Sequence, residues 1–299
     1  LNPDTTEVTD FKMRVLNSSL LRKVLGAGAL LLAAAFTLPA LAQRDAAPRE
    51  LTPRVFLPFI TNGTCDNFSG VTYGTLTPNP PPTDRPAEQH ADLNLALRGY
   101  APTDGTLGLV DYTGAADSRA PQLYTLFGDE RVPGFVSVAQ VYAWNWETNS
   151  RGAVITDPPV TLANLQTAND EPLRVPRSGY NIGTQSMHPP EGNFQDSPAD
   201  DPNAYEVLVL YASAQRITLK YTREDNVIQG YTLHVENVCV APALLALYQQ
   251  MNANGRAQLP ALKAGQPFGR ARSSEIGVVI RDNGTFMDPR SRKDWWQGK

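Results

Sequence analysis

The chain has 299 residues, of which 41% are hydrophobic and 19% charged, with a formal net charge of −4. That composition suits a globular protein with one large or two small cores and excludes disorder as its general state. A mildly acidic balance also gives no electrostatic reason to expect nucleic acid as a partner.

Leu1 to Lys12 match no targeting pattern and are set apart from the fold. Met13 is followed by Arg14, Arg22 and Lys23, an apolar run from Val24 to Phe36, and Ala40-Leu-Ala42. These are the three regions of a secretory signal peptide, so residues 1–42 read as an upstream extension plus signal, with cleavage leaving Gln43. The apolar run is shorter than the ~20 residues that span a bilayer. An uncleaved N-terminal anchor is the alternative; with cleavage, the mature chain carries a formal charge of −5 and no transmembrane segment, and is secreted or held at the cell surface.

Residues 43–101 read as a Pro-rich linker and extended segment. Gln43 to Pro53 is polar, Arg54 to Thr61 is an edge strand at most because Pro58 lies inside it, and Thr77 to Pro86 is a connector with five prolines. Glu88 to Gly99 is a short candidate helix built on Leu93, Leu95, Ala96 and Leu97. Residues 102–174 read as a β-rich region, with strands predicted at Leu107–Tyr112, Gln122–Phe127 and Val136–Trp146 between Gly, Pro and Asp turns. In the last of these, Tyr142, Trp144 and Trp146 alternate and share one face. Such a row suits either a carbohydrate platform, with rings stacked on sugar faces, or the filling of a core between two layers.

Two cysteines, Cys65 and Cys239, lie 174 residues apart. In an exported chain they are candidates for a disulfide that ties the N-terminal segment to the C-terminal one, worth roughly 5 kcal/mol by loop entropy before strain. A reactive thiol is the other option, although neither cysteine neighbours a basic residue in sequence.

From Val175 onward, strands are predicted at Tyr205–Ser213, Arg216–Tyr221 and Gly230–Val238, followed by a helix at Ala243–Asn252 with Pro242 at its start. Lys263-Ala-Gly-Gln-Pro-Phe-Gly269 then forms a turn before a last hairpin, in which Arg281-Asp-Asn-Gly284 carries a tight-turn signal and Met287-Asp-Pro289 the exit. Taken together, Val175 to Pro289 resembles the LytM or lysostaphin-type zinc peptidoglycan endopeptidases. The fold implied is mostly β: an N-terminal β-rich region, then a LytM-like antiparallel sheet or sandwich domain at 175–290 with a short helix, and a tail at 291–299.

The resemblance also implies where zinc would sit. That family takes its ligands from a His-x-x-x-Asp near the domain start, a His after the central strands and a late His-x-His. Here the matching positions read Arg177 and Asn181, then Gln250, then Glu275 and Gly277. A permanent guanidinium repels a divalent ion, the amides are neutral, glycine has no donor, and one carboxylate does not make a zinc site. The resemblance therefore implies no zinc cofactor and a groove at Arg177, Asn181, Gln250 and Glu275 that binds rather than cuts. Its partner would be a cell-envelope glycan, peptide or protein.

Two further functions stay open. His90 with Asp92, His188 and His234 lie in three segments without a recognised ligand spacing. They are either ordinary histidines or the parts of a displaced metal site in an extracellular cell-wall hydrolase. The aromatic row and proline connectors would also suit a structural, adhesive surface protein. Serine-nucleophile, phosphate-loop and dinucleotide motifs are absent.

Overall fold

Short apolar runs punctuated by glycine and proline favour strands over helices, and the computed structural model is mostly β. It describes residues 65–79, 84–179, 181–183 and 203–299. The expected signal region, the expected edge strand at Arg54–Thr61 and His188 fall outside them. In chain order come β1 (Gly74–Leu76), β2 (Tyr100–Pro102), β3 (Phe135–Asn145), β4 (Ser150–Val154), β5 (Leu162–Gln166) and β6 (Pro172–Arg174). Then follow β7 (Val207–Ser213), β8 (Arg216–Lys220), β9 (Tyr231–Glu236), β10 (Val238–Val240) and the helix α1 (Pro242–Ala253). The chain continues with β11 (Leu259–Leu262), β12 (Pro267–Ala271), β13 (Glu275–Asp282), β14 (Thr285–Met287) and the one-turn α2 (Arg292–Trp295).

One antiparallel sheet runs in the order β1-β11-β7-β8-β9-β13-β5-β3-β2, with β14 on β13 and β4 on β3. Strands on both sides of position 175 share it, because β5 pairs with β13. A smaller sheet has the order β10-β12-β6. The register gives the large sheet two unlike faces. Ile217 and Leu219 of β8, Leu233 and Val235 of β9, and Ile276, Val278 and Ile280 of β13 point into the main core. On the opposite face the rows read Arg216–Glu236–Gly277, Thr218–His234–Val279 and Lys220–Thr232–Arg281. Strand β7 is buried on both faces from Val207 to Ala212, and its continuous apolar sequence matches that setting.

The segments predicted between 205 and 252 form where expected. The Asp-Asn-Gly signal is the β13–β14 turn, with Asn283 and Gly284 both at positive φ (46° and 79°), the pair a two-residue hairpin requires. Cys65 and Cys239 form the disulfide, with Cα atoms 5.5 Å apart. Other expectations are corrected. Leu107–Tyr112 is a loop with a single bridge, Val110 to Ser291, and leaves Leu107 exposed. Gln122–Phe127 contains a 3-10 turn at Leu123–Thr125 that buries Leu123 and Leu126 three residues apart. Glu88–Gly99 is a 3-10 turn at Ala87–Gln89 followed by irregular turns. There Asn94 accepts a bond from the Ala96 N–H and His90 Nδ1 one from the Asp92 N–H, side-chain bonds that compete with a helix.

The last residues pack inward: Trp295 and Trp296 are buried and donate their indole N–H groups to the carbonyls of Asp288 and Pro289. Among the described residues, no helix is long and apolar enough to cross a membrane.

Candidate functional site

The polar face of β8, β9 and β13 is covered by the segment 87–100. Asp92 of this cover lies 2.5 Å from Arg98 and 2.7 Å from Arg281, so one carboxylate bridges two buried guanidinium groups. Both guanidinium groups also lie over the Phe286 ring. Burial pushes the Asp92 carboxyl up, but the two arginines outweigh it and hold it below the ordinary aspartate value. Further along, Tyr100 donates to Glu236 at 2.8 Å, and Arg216 pairs with the same carboxylate at 3.1 Å.

His234 sits at the centre of this layer, 1% exposed. Thr218 Oγ1 lies 2.7 Å from the Leu93 carbonyl and 3.0 Å from His234 Nδ1. Its single proton goes to the carbonyl, so Nδ1 carries a proton and donates to the hydroxyl, leaving Nε2 a buried acceptor without a partner among the described residues. Burial and then Arg281 push its pKa well below the usual imidazole value, so the ring is neutral. Lys220 is equally enclosed: its ammonium has no hydrogen-bond partner among the described residues, and burial pushes its pKa down to about 8.

The four groove positions come from three segments. Arg177 and Asn181 flank the start of β7: Arg177 is exposed, and Asn181 is buried and accepts from the Gly183 N–H. Gln250 is exposed near the end of α1. Glu275 begins β13 beside Gln166 of β5, and its carbonyl accepts from Asn237. Gly277, two residues on, leaves little room for a side chain. A Cβ there would meet Asn164 Oδ1 at 3.0 Å, Glu236 Cβ at 3.2 Å and Leu162 Cδ1 at 3.3 Å. The donor set implied by the resemblance therefore does not fit zinc. Among the described residues no three His, Cys, Asp or Glu side chains are grouped to hold a metal ion.

The aromatic row reaches the surface. β3 and β4 form a hairpin whose second strand is exposed through Ala153, and Tyr142, Trp144 and Trp146 all stand outside the buried core. Trp144 and Trp146 meet edge to face at 6.4 Å, and the His90 ring meets Trp146 at 5.1 Å. Arg85 lies over Trp146 at 4.8 Å and Arg151 over Tyr142 at 5.9 Å. The Arg151 guanidinium is fixed by the carbonyls of Leu97 and Ala96. It packs so closely over Gly99 (φ +70°) that a Cβ there would come within 2.8 Å of it. Ala143, Trp144, Asn145, Trp146, Glu147 and Gly152 line an open depression of about 540 Å³ at the hairpin. The alternation in β3 revealed the three rings, but Arg85, His90 and Arg151 come from other segments and left no sequence signal.

A second, smaller recess of about 240 Å³ lies where residues 125–130 meet β6 and the turn before β12, and Arg174 and Arg177 line it. No protein-family model, curated protein or solved structure matches the chain.

Proposed function

We propose that the chain is an exported, non-catalytic LytM-like protein that binds a cell-envelope glycan through the β3–β4 hairpin. The observation that carries this reading is the surface cluster of Tyr142, Trp144 and Trp146 with Arg85 and Arg151 stacked against it. Aromatic rings held at a surface offer flat apolar faces to sugar rings, and flanking guanidinium groups supply donors for hydroxyl or carboxylate substituents. A half-buried Trp144 and an exposed Trp146 in mutual contact lose little freedom on binding, which favours affinity.

Binding without cleavage is supported by the chemistry of the replaced positions. Gly277 offers no ligand, Arg177 repels a cation, and the sheet face that carries Gly277 is covered by the Asp92–Arg98–Arg281 bridge. A displaced hydrolytic centre at His234 is disfavoured because that ring lies beneath the covering segment at 1% exposure. The disulfide is compatible with the oxidising setting that export provides.

Co-sedimentation with purified cell-wall glycan tests the proposal. Wild type is expected in the pellet, and Trp144→Ala in the supernatant with an unchanged unfolding temperature. Retention of Trp144→Ala at the wild-type level would move the binding surface elsewhere, to the groove at Arg177 or to a protein-binding role.

A further inference from the structure

We propose that Arg174 and Arg177 form an oxyanion pocket that takes a single carboxylate or phosphate group of an envelope ligand. This goes beyond the hairpin reading and does not rest on it: β3 alone is 11 residues long, and the pocket lines up with residues before its start rather than with the hairpin at its end.

The contrast with the other arginines is the first support. Arg98, Arg216, Arg256, Arg281 and Arg290 each have an Asp or Glu oxygen within 3.1 Å. Among the described residues, neither Arg174 nor Arg177 has a carboxylate within 4.0 Å. Two guanidinium groups without an ion pair that line one recess attract an anion.

The second support is that the fold holds both arginines in place. Arg174 lies in β6, its N–H donates to the Leu126 carbonyl at 2.8 Å, and its guanidinium donates to the Gly265 carbonyl at 3.2 Å. It also packs over Gly128 (φ +85°), where a Cβ would approach Arg174 Nε to 2.9 Å, so glycine is needed at this wall. The Arg177 backbone is fixed on both sides: its N–H donates to Thr125 Oγ1 at 2.9 Å and its carbonyl accepts from Gln122 at 2.7 Å. Its side chain is left exposed at the recess.

Size and charge narrow the ligand. About 240 Å³ is below the ~300–1,000 Å³ of pockets that enclose a drug-sized molecule, so the recess suits one headgroup with the rest of the ligand outside. Glu130 also lines it and opposes an anion, leaving a net charge of +1 across the ionisable lining residues. Glu206, the other carboxylate that Arg177 feels, is engaged by the Ser178 N–H and hydroxyl at 2.5 and 2.6 Å.

The test is a calorimetric or NMR titration of the full chain with three probes: an acetylated dipeptide with a free C-terminal carboxylate, the same dipeptide amidated, and inorganic phosphate. Saturable binding of the free dipeptide or of phosphate, at least tenfold weaker in Arg177→Ala and tighter in Glu130→Gln, is the expected result. Preference for the free dipeptide identifies a peptide carboxylate as the source, and preference for phosphate a phosphorylated polymer. Arg177 is exposed, so its alanine variant keeps the fold, and Arg177→Lys is expected to recover only part of the affinity. Equal binding of the free and amidated dipeptides without saturable binding of phosphate, no saturable binding of either anion, or affinity unaffected by Arg177→Ala would overturn the proposal.

Discussion

Replacing Asp92 by Asn tests whether the cover over the polar sheet face is held electrostatically. Wild-type Asp92 bridges Arg98 and Arg281, whose side chains are 7% and 6% exposed. The amide keeps the shape but removes the charge, so two buried cations lose their common counterion. Breaking one partner from such a buried arrangement costs about 3–5 kcal/mol. For a domain of this size each kcal/mol shifts the melting temperature by roughly 2–4 °C, so the expected fall is roughly 6–20 °C. The pH profile adds a signed check. The folded-state pKa of Asp92 is depressed below its ordinary 3.8, so its stabilisation is present above that value and is lost as pH falls through the lower folded value. Asp92→Asn should therefore lose stability at pH 7 and show less additional loss on acidification than wild type. Diethylpyrocarbonate labelling of His234 reports on the cover itself: protected in wild type, faster in the variant. A melting temperature within about 2 °C of wild type, together with unchanged labelling, would refute the bridge as the fastening of this face.

Three further outcomes are expected. Burial raises the Glu206 carboxyl to about 7, from 4.5, despite bonds from Ser178, so the folded state keeps its proton longer than the unfolded chain. Its contribution to stability falls as pH rises from 4.5 to 7, by roughly 3 kcal/mol, and Glu206→Gln should flatten that part of a urea-unfolding profile. Lys220, lowered from 10.5 to about 8, carries the opposite slope: stability rises with pH between those values. Lys220→Met should therefore stabilise the protein at pH 7 by about 2–3 kcal/mol, and a loss in chemical denaturation would show that the ammonium is satisfied. Gly277→His places a side chain against Asn164, Glu236 and Leu162; it should cost about 1–3 kcal/mol by overpacking and leave metal analysis of the purified protein free of added zinc.

Much of the β architecture was legible because its strands carry their own pattern. Residues 207–212 are an apolar run and 216–221 alternate polar and apolar, with a tight turn between them, and Asp-Asn-Gly can hardly be placed anywhere but a hairpin. The loops that failed did so because apolar residues there serve tertiary contacts. Leu123 and Leu126 are spaced for one turn of 3-10 helix, and Leu93 and Leu95 are pulled down onto the sheet while polar neighbours bond the backbone. The cover itself was not legible, since Asp92 meets Arg281 across 189 residues and neither carries a local signal of the other. The aromatic row was visible as alternation, but whether it faced the core or solvent depended on β4, an exposed partner strand that no apolar pattern marks. Trp295 and Trp296, in a stretch that reads as a tail, offered the plainest overlooked clue, because two adjacent indoles seldom remain in water.

The most direct test incubates the purified protein with insoluble cell-wall glycan and measures, in the same tube, the protein retained and the soluble fragments released. Retention of wild type without release of fragments, with retention lost in Trp144→Ala and in Trp146→Ala, is the predicted result. Release of fragments that stops when a chelator is added, or retention unaffected by either tryptophan substitution, would contradict a non-catalytic glycan-binding surface on the β3–β4 hairpin.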